Sequence, residues 1–305
     1  MAGNAMDLQI TPSNAIEVQK PTPQTGAFLC EQLERGQVLL FREVPFAFPD
    51  ADRKFLLSRS AAESRFHKNI SYRPASGAVH GSADNSDRER LLDVMQRFSR
   101  EAAAFVARLL TPYAGKMRLD FASFRPLEEQ GRDLPLHKRN DLLHVDAFPS
   151  RPTRGGRILR IFVNINPAAG RVWNVGAPFH AFVPGLMGSG SRLQPPQRGK
   201  AAQLFAHAAA RLGLPVADRS HYDEFMLYLH DWLKENSGFQ KDSPKREIVF
   251  PSGCCWMVYT DGVPHAVMSG QFALEQTFIV PVDALVAPEA SPLRVLESAM
   301  GKKLN

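Results

Sequence analysis

Hydrophobic and polar positions change their period several times along the chain. Residues 1–25 are polar and proline-containing, which predicts an extended segment. Residues 50–65 repeat apolar positions at helical spacing. A longer helix follows Asp84-Asn85-Ser86-Asp87, with Leu91, Met95, Phe98, Ala102, Phe105 and Leu109 on one stripe. At 116–126, "KMRLDFASFRP", the period falls to two and predicts a strand, as it does at 157–166 and 171–175. Between about 179 and 240 it becomes helical again, with helices near 198–212 and 220–235. Strand character returns at 246–251, 254–259, 264–268 and 272–281, and one short helix is expected after Pro288.

Short strands split by a helical insertion fit an α+β fold built on a double-stranded β-helix, the jelly-roll or cupin-like architecture. A single domain over 1–305 is expected. It divides into a mostly helical part (1–115), a jelly-roll core (116–178 and 245–283), a helical insertion (179–244) and a C-terminal tail (284–305). The length suffices for one large core, and no internal repeat is evident.

Composition narrows the picture only slightly. Hydrophobic residues make up 44% and charged residues 22%, as in ordinary globular proteins. Cys30, Cys254 and Cys255 are too few and too badly placed for a disulfide framework, so a reducing compartment is expected. The N-terminus lacks the basic start and apolar core of a signal peptide, and no apolar run approaches the roughly 18 residues of a membrane helix. The net charge is +6, and basic residues cluster. Lys138-Arg139 precede residues 144–146, Arg151, Arg154, Arg157 and Arg160 follow them, and Arg192, Arg198 and Lys200 come later. Such clustering suits either a solvated surface or an anionic ligand. Nucleic acid is disfavoured, because no binding motif accompanies the charge. No obligate protein partner is implied.

Two His-x-Asp triplets stand out. In "DRSHYDEFMLYLHDWL", Ser220 and Asp223 have the spacing of a capping box, and apolar residues then recur at helical period, so local structure explains His221-Tyr222-Asp223. His144-Val145-Asp146 has no such explanation. It ends an apolar run and leads through Pro149, Pro152 and Gly155-Gly156 into a strand. His265 lies in "TDGVPHAVMSG", just past a turn and at the start of a strand. Strand-end residues converge at the mouth of a jelly roll, so His144, Asp146 and His265 could meet. Two imidazoles and one carboxylate cap one face of a metal and leave the other open, which suits ferrous iron in an oxygenase. A structural His–Asp pair and a buried, hydrogen-bonded His265 are the alternatives.

Oxygenases of this kind use 2-oxoglutarate, whose far carboxylate needs a cation or hydrogen-bond donors. Alternation along 157–166 places Arg160, Phe162, Asn164 and Asn166 on one face. Arg160 facing inward would clamp the carboxylate; facing outward it would meet water. Arg157 and Arg171 are the next candidates. Gln276 stands eleven residues after His265, about where many such enzymes carry an arginine, and brings a donor without charge. Trp173 and Trp256 are read as core rather than as substrate platforms.

The run "LHKRNDLLHVDAFPSRPTRGGRILRIFVNINP", with "RVWNVGAPF" and "PHAVMSGQFALEQTFIVPV", resembles the bacterial Kdo hydroxylase family over most of the chain. The resemblance implies an Fe(II)- and 2-oxoglutarate-dependent dioxygenase, consuming O2, with ascorbate as a reductant in vitro. It implies hydroxylation at carbon 3 of 3-deoxy-D-manno-oct-2-ulosonic acid (Kdo) in Kdo-lipid A, giving the talo-octulosonic acid form. His144, Asp146 and His265 would be the iron ligands. Lys138, Arg139, Arg151 and Arg154 would then rim the site and meet the carboxylates and phosphates of the lipid. The expected location is the cytoplasm of a Gram-negative bacterium, peripheral to the inner membrane. A protein or peptide hydroxylase with the same iron site, and a non-catalytic cupin-like saccharide-binding protein, are the competing classes.

Overall fold

The computed structural model describes residues 12–19, 22–59, 69–81, 87–188, 193 and 218–305. Eleven strands among them form two sheets. The larger sheet has eight strands in the order β1-β2-β9-β6-β11-β5-β3-β4, and the smaller has three in the order β10-β7-β8. The strands are β1 (Ala15–Glu17), β2 (Val38–Phe41), β3 (Ile70–Arg73), β4 (Ala78–His80), β5 (Arg118–Arg125), β6 (Arg157–Asn164), β7 (Arg171–Gly176), β8 (Lys245–Phe250), β9 (Cys255–Tyr259), β10 (His265–Ser269) and β11 (Ala273–Val280). Together they make the expected α+β jelly-roll core.

The two central strands of the large sheet, β6 and β11, are buried at every position. Both faces of the sheet are covered, so these strands lack the clean apolar–polar alternation of a one-sided sheet. The outer face carries Leu159, Ile161, Val163, Leu274 and Phe278, and packs on α1 (Gly26–Glu34), α2 (Asp50–Leu57) and α3 (Arg88–Leu109). The stripe expected on α3 is the one buried there, with Val94 and Val106 added. On the inner face, Phe162, Trp256 and Val258 meet Trp173, Ile248 and Phe250 of the small sheet. A third cluster lies under α4 (Phe179–Leu186), α5 (His221–Glu235) and α7 (Pro292–Met300), with α6 (Ser237–Asp242) following α5.

The N-terminal part supplies four strands as well as its helices, which helical periodicity alone did not indicate. These strands have only three or four residues each, too few for a period to register. The expected helix at 198–212 and the basic residues Arg192, Arg198 and Lys200 lie outside the described residues, as do residues 60–65 of the helix expected at 50–65. Ser220 and Asp223 form the reciprocal capping box at the start of α5. The second oxygen of that carboxylate does more: Asp223 Oδ1 accepts from Thr153 N (2.8 Å) and Arg154 N (3.1 Å), fixing the loop after Asp146 to the helix end.

Candidate active site

His144 is placed by a short bridge to β10. Its N–H donates to His265 O at 3.1 Å, and His265 N–H donates back to His144 O at 2.9 Å. Two residues on, Asp146 N donates to Thr260 O at 2.8 Å. Backbone pairing alone therefore brings the two histidines and the aspartate to one end of the barrel. Their potential ligand atoms lie within 4.8 Å of one another, the one such group among the described residues.

The chemistry of this donor set fits a divalent metal. His144 Nδ1 stands 2.7 Å from Leu142 O and His265 Nδ1 stands 3.0 Å from Val263 O. A carbonyl can only accept, so each Nδ1 carries the proton and each Nε2 keeps a free lone pair. Burial pushes both imidazoles below their ordinary pKa, and His265 adds to the effect on His144, so both rings are neutral near pH 7. Burial would raise the Asp146 carboxyl, but the charge of the Arg160 guanidinium opposes it most strongly, and the carboxyl is held well below the usual carboxylate range. The result is two neutral nitrogen donors and one anionic oxygen donor, in the state that metal binding requires.

Beside the triad lies a small cavity lined by Arg125, Asn140, Arg160, Phe162, Arg171 and Trp173. The register of the large sheet orders these groups along the strands. Arg160 pairs with Thr277 beside the triad, and Phe162 pairs with Glu275 one step on. Arg125, opposite Ala273, lies a further step along. Arg160 Nη1 is 3.2 Å from Asp146 Oδ2 and 3.6 Å from Glu275 Oε2. Arg125 donates Nε (2.8 Å) and Nη2 (2.6 Å) to the same Glu275 oxygen. Arg171 enters from the small sheet. Its Nη1 donates to Gly270 O at 2.9 Å, its Nη2 is 3.6 Å from Glu129, and burial lowers its pKa to about 10. Trp173 stacks on the His265 ring, with centroids 5.1 Å apart. It thus belongs both to the core, as expected, and to the cavity wall; Trp256 is core alone.

Three of the four residues expected to hold 2-oxoglutarate are placed elsewhere. Gln276 points to the opposite side of the sheet, on the face of Leu274 and Phe278, and its amide donates to Asp120 O and Thr277 O, both at 2.8 Å. Since β11 runs antiparallel to β6 with Thr277 opposite Arg160, its odd-numbered residues share the Arg160 face, so Glu275 faces the cavity. Asn164 spends its amide on Ala169 O, Phe250 O and Pro251 O, and Asn166 accepts from Ala168 N and Ala169 N. Both tie strand ends together. Arg160 does line the cavity. Arg157, an alternative clamp, is buried away from it, with Nε 2.9 Å from Asp261 Oδ2.

The expected basic rim is largely engaged by carboxylates. Arg139 pairs with Asp141 at 2.6 Å and Arg154 with Asp218 at 2.8 Å. Arg151 pairs with Asp120 and is sandwiched between the rings of Phe121 and Phe148. Lys138 lies in a short 3-10 turn, Leu136–Lys138, away from the cavity lining. Sequence reasoning missed Arg125, Glu129, Asn140 and Glu275. The available signal was the apolar series Leu274, Phe278, Val280, which marks the core face of β11 and leaves Glu275 on the other.

The family described as 3-deoxy-D-manno-oct-2-ulosonic acid (Kdo) hydroxylase matches residues 17–303. No curated protein matches the chain. The chain is similar to a crystal structure of the Kdo hydroxylase KdoO, a non-heme Fe(II) α-ketoglutarate-dependent dioxygenase, in complex with α-ketoglutarate and Fe(III). That match has 38% identity, covers 96% of this chain and 97% of that one, and has a TM-score of 0.83. The cobalt(II) complex of that enzyme matches at 39% identity, 95% and 97% coverage and a TM-score of 0.83. Its complex with succinate and Fe(III) matches at 38%, with the same coverage and a TM-score of 0.81.

Proposed function

The chain belongs to the Kdo hydroxylase family, and from that membership we propose that it is an Fe(II)- and 2-oxoglutarate-dependent dioxygenase that hydroxylates Kdo at carbon 3 in Kdo-lipid A. The single observation that carries the reading is the convergence of His144, Asp146 and His265, in metal-binding protonation states, on a cavity walled by arginines. The solved relative was crystallised with α-ketoglutarate, Fe(III), cobalt(II) and succinate, which are the co-substrate, metal centres and co-product that such a site would accept.

His144 Nε2, His265 Nε2 and one Asp146 oxygen would hold the iron, and the bound ion would supply the oxygen-activating chemistry. Arg160 holds Asp146 ionised and oriented, as a partner behind a ligating carboxylate does. Arg125 and Arg171 line the same cavity as His144, Asp146 and His265, so a five-carbon dicarboxylate leaving the metal end would direct its far carboxylate at them. Arg171 lines that space and its Nε is buried without a hydrogen-bond partner, as is Arg160 Nε, but Arg160 is turned to Asp146 and Arg125 is already bound to Glu275. We assign the distal clamp to Arg171, with Arg125 beside it. Phe162 and Trp173 exclude water around the chain of the co-substrate.

No helix of the described residues is long and apolar enough to cross a membrane. Reaction at the cytoplasmic face of the inner membrane, with the chain bound peripherally, is part of the proposal. Mass spectrometry of lipopolysaccharide from cells with and without the gene tests it. The proposal expects the inner Kdo to carry one extra oxygen only when the gene is present. Identical lipopolysaccharides, or a modified protein in place of a modified sugar, would overturn it.

A further inference from the structure

A second concave site opens on the same face of the large sheet, just outside the metal centre. It is a surface cavity of about 720 Å³ whose wall carries Lys116, Arg118, Arg154, Arg294 and Lys303. Asp283 and Glu297 are its carboxylates, and Glu297 is taken by Arg294 at 2.7 Å. Arg154 is paired with Asp218. The side chains of Lys116, Arg118 and Lys303 make no ion pair or hydrogen bond among the described residues. Cations from the start of β5, the loop after Asp146 and the C-terminal segment thus converge on one hollow and leave it with a net positive charge. A merely solvated face has no need of that convergence, which costs mutual repulsion.

The wall is built rather than loose. Asn305 Nδ2 donates to Arg154 O at 2.7 Å, Leu304 is buried, and Tyr222 N donates to Leu304 O at 3.1 Å. A side chain at Gly155, whose φ is +89°, would meet Leu293 Cδ2 at 2.6 Å and Asn305 Nδ2 at 2.7 Å. The cavity also has a fixed position relative to the chemistry. Ile279 lines it and pairs with Arg118 and Ile158, while Thr277, two residues back along β11, pairs with Arg160. That is one strand step of about 6.8 Å. Thr153 lines both this cavity and the narrow crevice that holds Asp146. The loop that carries Thr153 is pinned by the pairing of Arg151 with Asp120.

We propose that this cavity is a phosphate subsite, in which Lys116, Arg118 and Lys303 receive a phosphate monoester of the glycolipid whose sugar lies at the metal centre. The inference rests on the glycolipid reading above. A phosphate carries close to two charges and three acceptor oxygens, which matches three unspent cations on opposing walls better than a single carboxylate would. Of the four cations expected from the sequence to meet the lipid, Arg139, Arg151 and Arg154 are already neutralised by their own aspartates. The free ones lie one step further out.

The test compares the iron-loaded full chain with the triple variant Lys116→Ala/Arg118→Ala/Lys303→Ala, after thermal melting has shown both folded. Each is given Kdo-lipid A in micelles and the same lipid after phosphatase treatment, and kcat/KM is measured on both. The wild type should prefer the phosphorylated lipid at least tenfold, and the variant should lose that preference. No preference in the wild type, or an equal preference in the variant, overturns the subsite. Equilibrium binding of the two lipids, with and without millimolar inorganic phosphate, is measured alongside. If neither lipid is hydroxylated, the glycolipid reading fails, while phosphate-dependent binding lost in the variant still supports the subsite and its absence overturns it. Binding of inorganic phosphate alone, with no discrimination between the lipids, would identify a free-phosphate site and overturn the glycolipid assignment.

Discussion

Arg160 Nη1 stands 3.2 Å from Asp146 Oδ2, so the charge expected to clamp a co-substrate is instead in contact with a candidate iron ligand. Arg160→Ala therefore reaches the metal first. Loss of a partner behind a ligand typically costs about 10–100-fold in metal affinity. Titration of Fe(II) or Co(II) should show a loss of that size, whereas a variant with wild-type metal affinity and a raised Michaelis constant for 2-oxoglutarate would return Arg160 to the clamp.

Arg171→Gln separates the two functions. Its Nε is a buried donor without a hydrogen-bond partner, and the residue lines the cavity. Losing a charge-assisted hydrogen bond there, worth about 1.5–3 kcal/mol, should raise the Michaelis constant for 2-oxoglutarate at least tenfold while metal titration stays near wild type. Arg125→Ala is a poorer probe, since it removes the closer cation from buried Glu275 and should cost folding stability of roughly 3–5 kcal/mol.

Gln276→Ala should leave 2-oxoglutarate use within twofold of wild type. Its amide serves Asp120 O and Thr277 O on the helix-covered face, so its removal shows in denaturant unfolding, at about 1–3 kcal/mol. A selective rise in the Michaelis constant for 2-oxoglutarate would contradict the register described here.

Metal binding should persist into mild acid. Both histidines have pKa values lowered by burial, so they stay neutral, and able to coordinate, below the pH at which a free imidazole protonates. Asp146 is held ionised throughout that range. As pH falls, cobalt(II) binding followed by its visible spectrum should therefore be lost with a midpoint below about 6.5, the free-histidine value. A midpoint above it would mean that the rings are not buried as described.

Much of the fold was legible because β5 to β11 are runs long enough to read as strands and α3 is long enough to show its apolar stripe. The short strands β1 to β4 are not, and they take their state from the sheet they join. At the site, the isolation of His144 and Asp146 from any helix cap singled them out. The cavity face of β11 was harder. Its residues are buried on both sides, so the apolar series Leu274, Phe278, Val280 is a weak guide, and the pairing of Thr277 with Arg160 is what sets Glu275, not Gln276, on the Arg160 face. Asn164 misled for a related reason: it does lie on the inner face, but at the strand end, where free carbonyls of the neighbouring turn consume its amide.

The most direct test is a single reaction of the purified protein with Fe(II), ascorbate, 2-oxoglutarate, Kdo-lipid A and isotopically labelled O2. The account predicts that one labelled oxygen atom appears on carbon 3 of Kdo, matched by equimolar succinate, and that His144→Ala, Asp146→Ala or His265→Ala abolishes both. Succinate without labelled sugar, or labelled sugar made equally well by the Asp146→Ala protein, would contradict it.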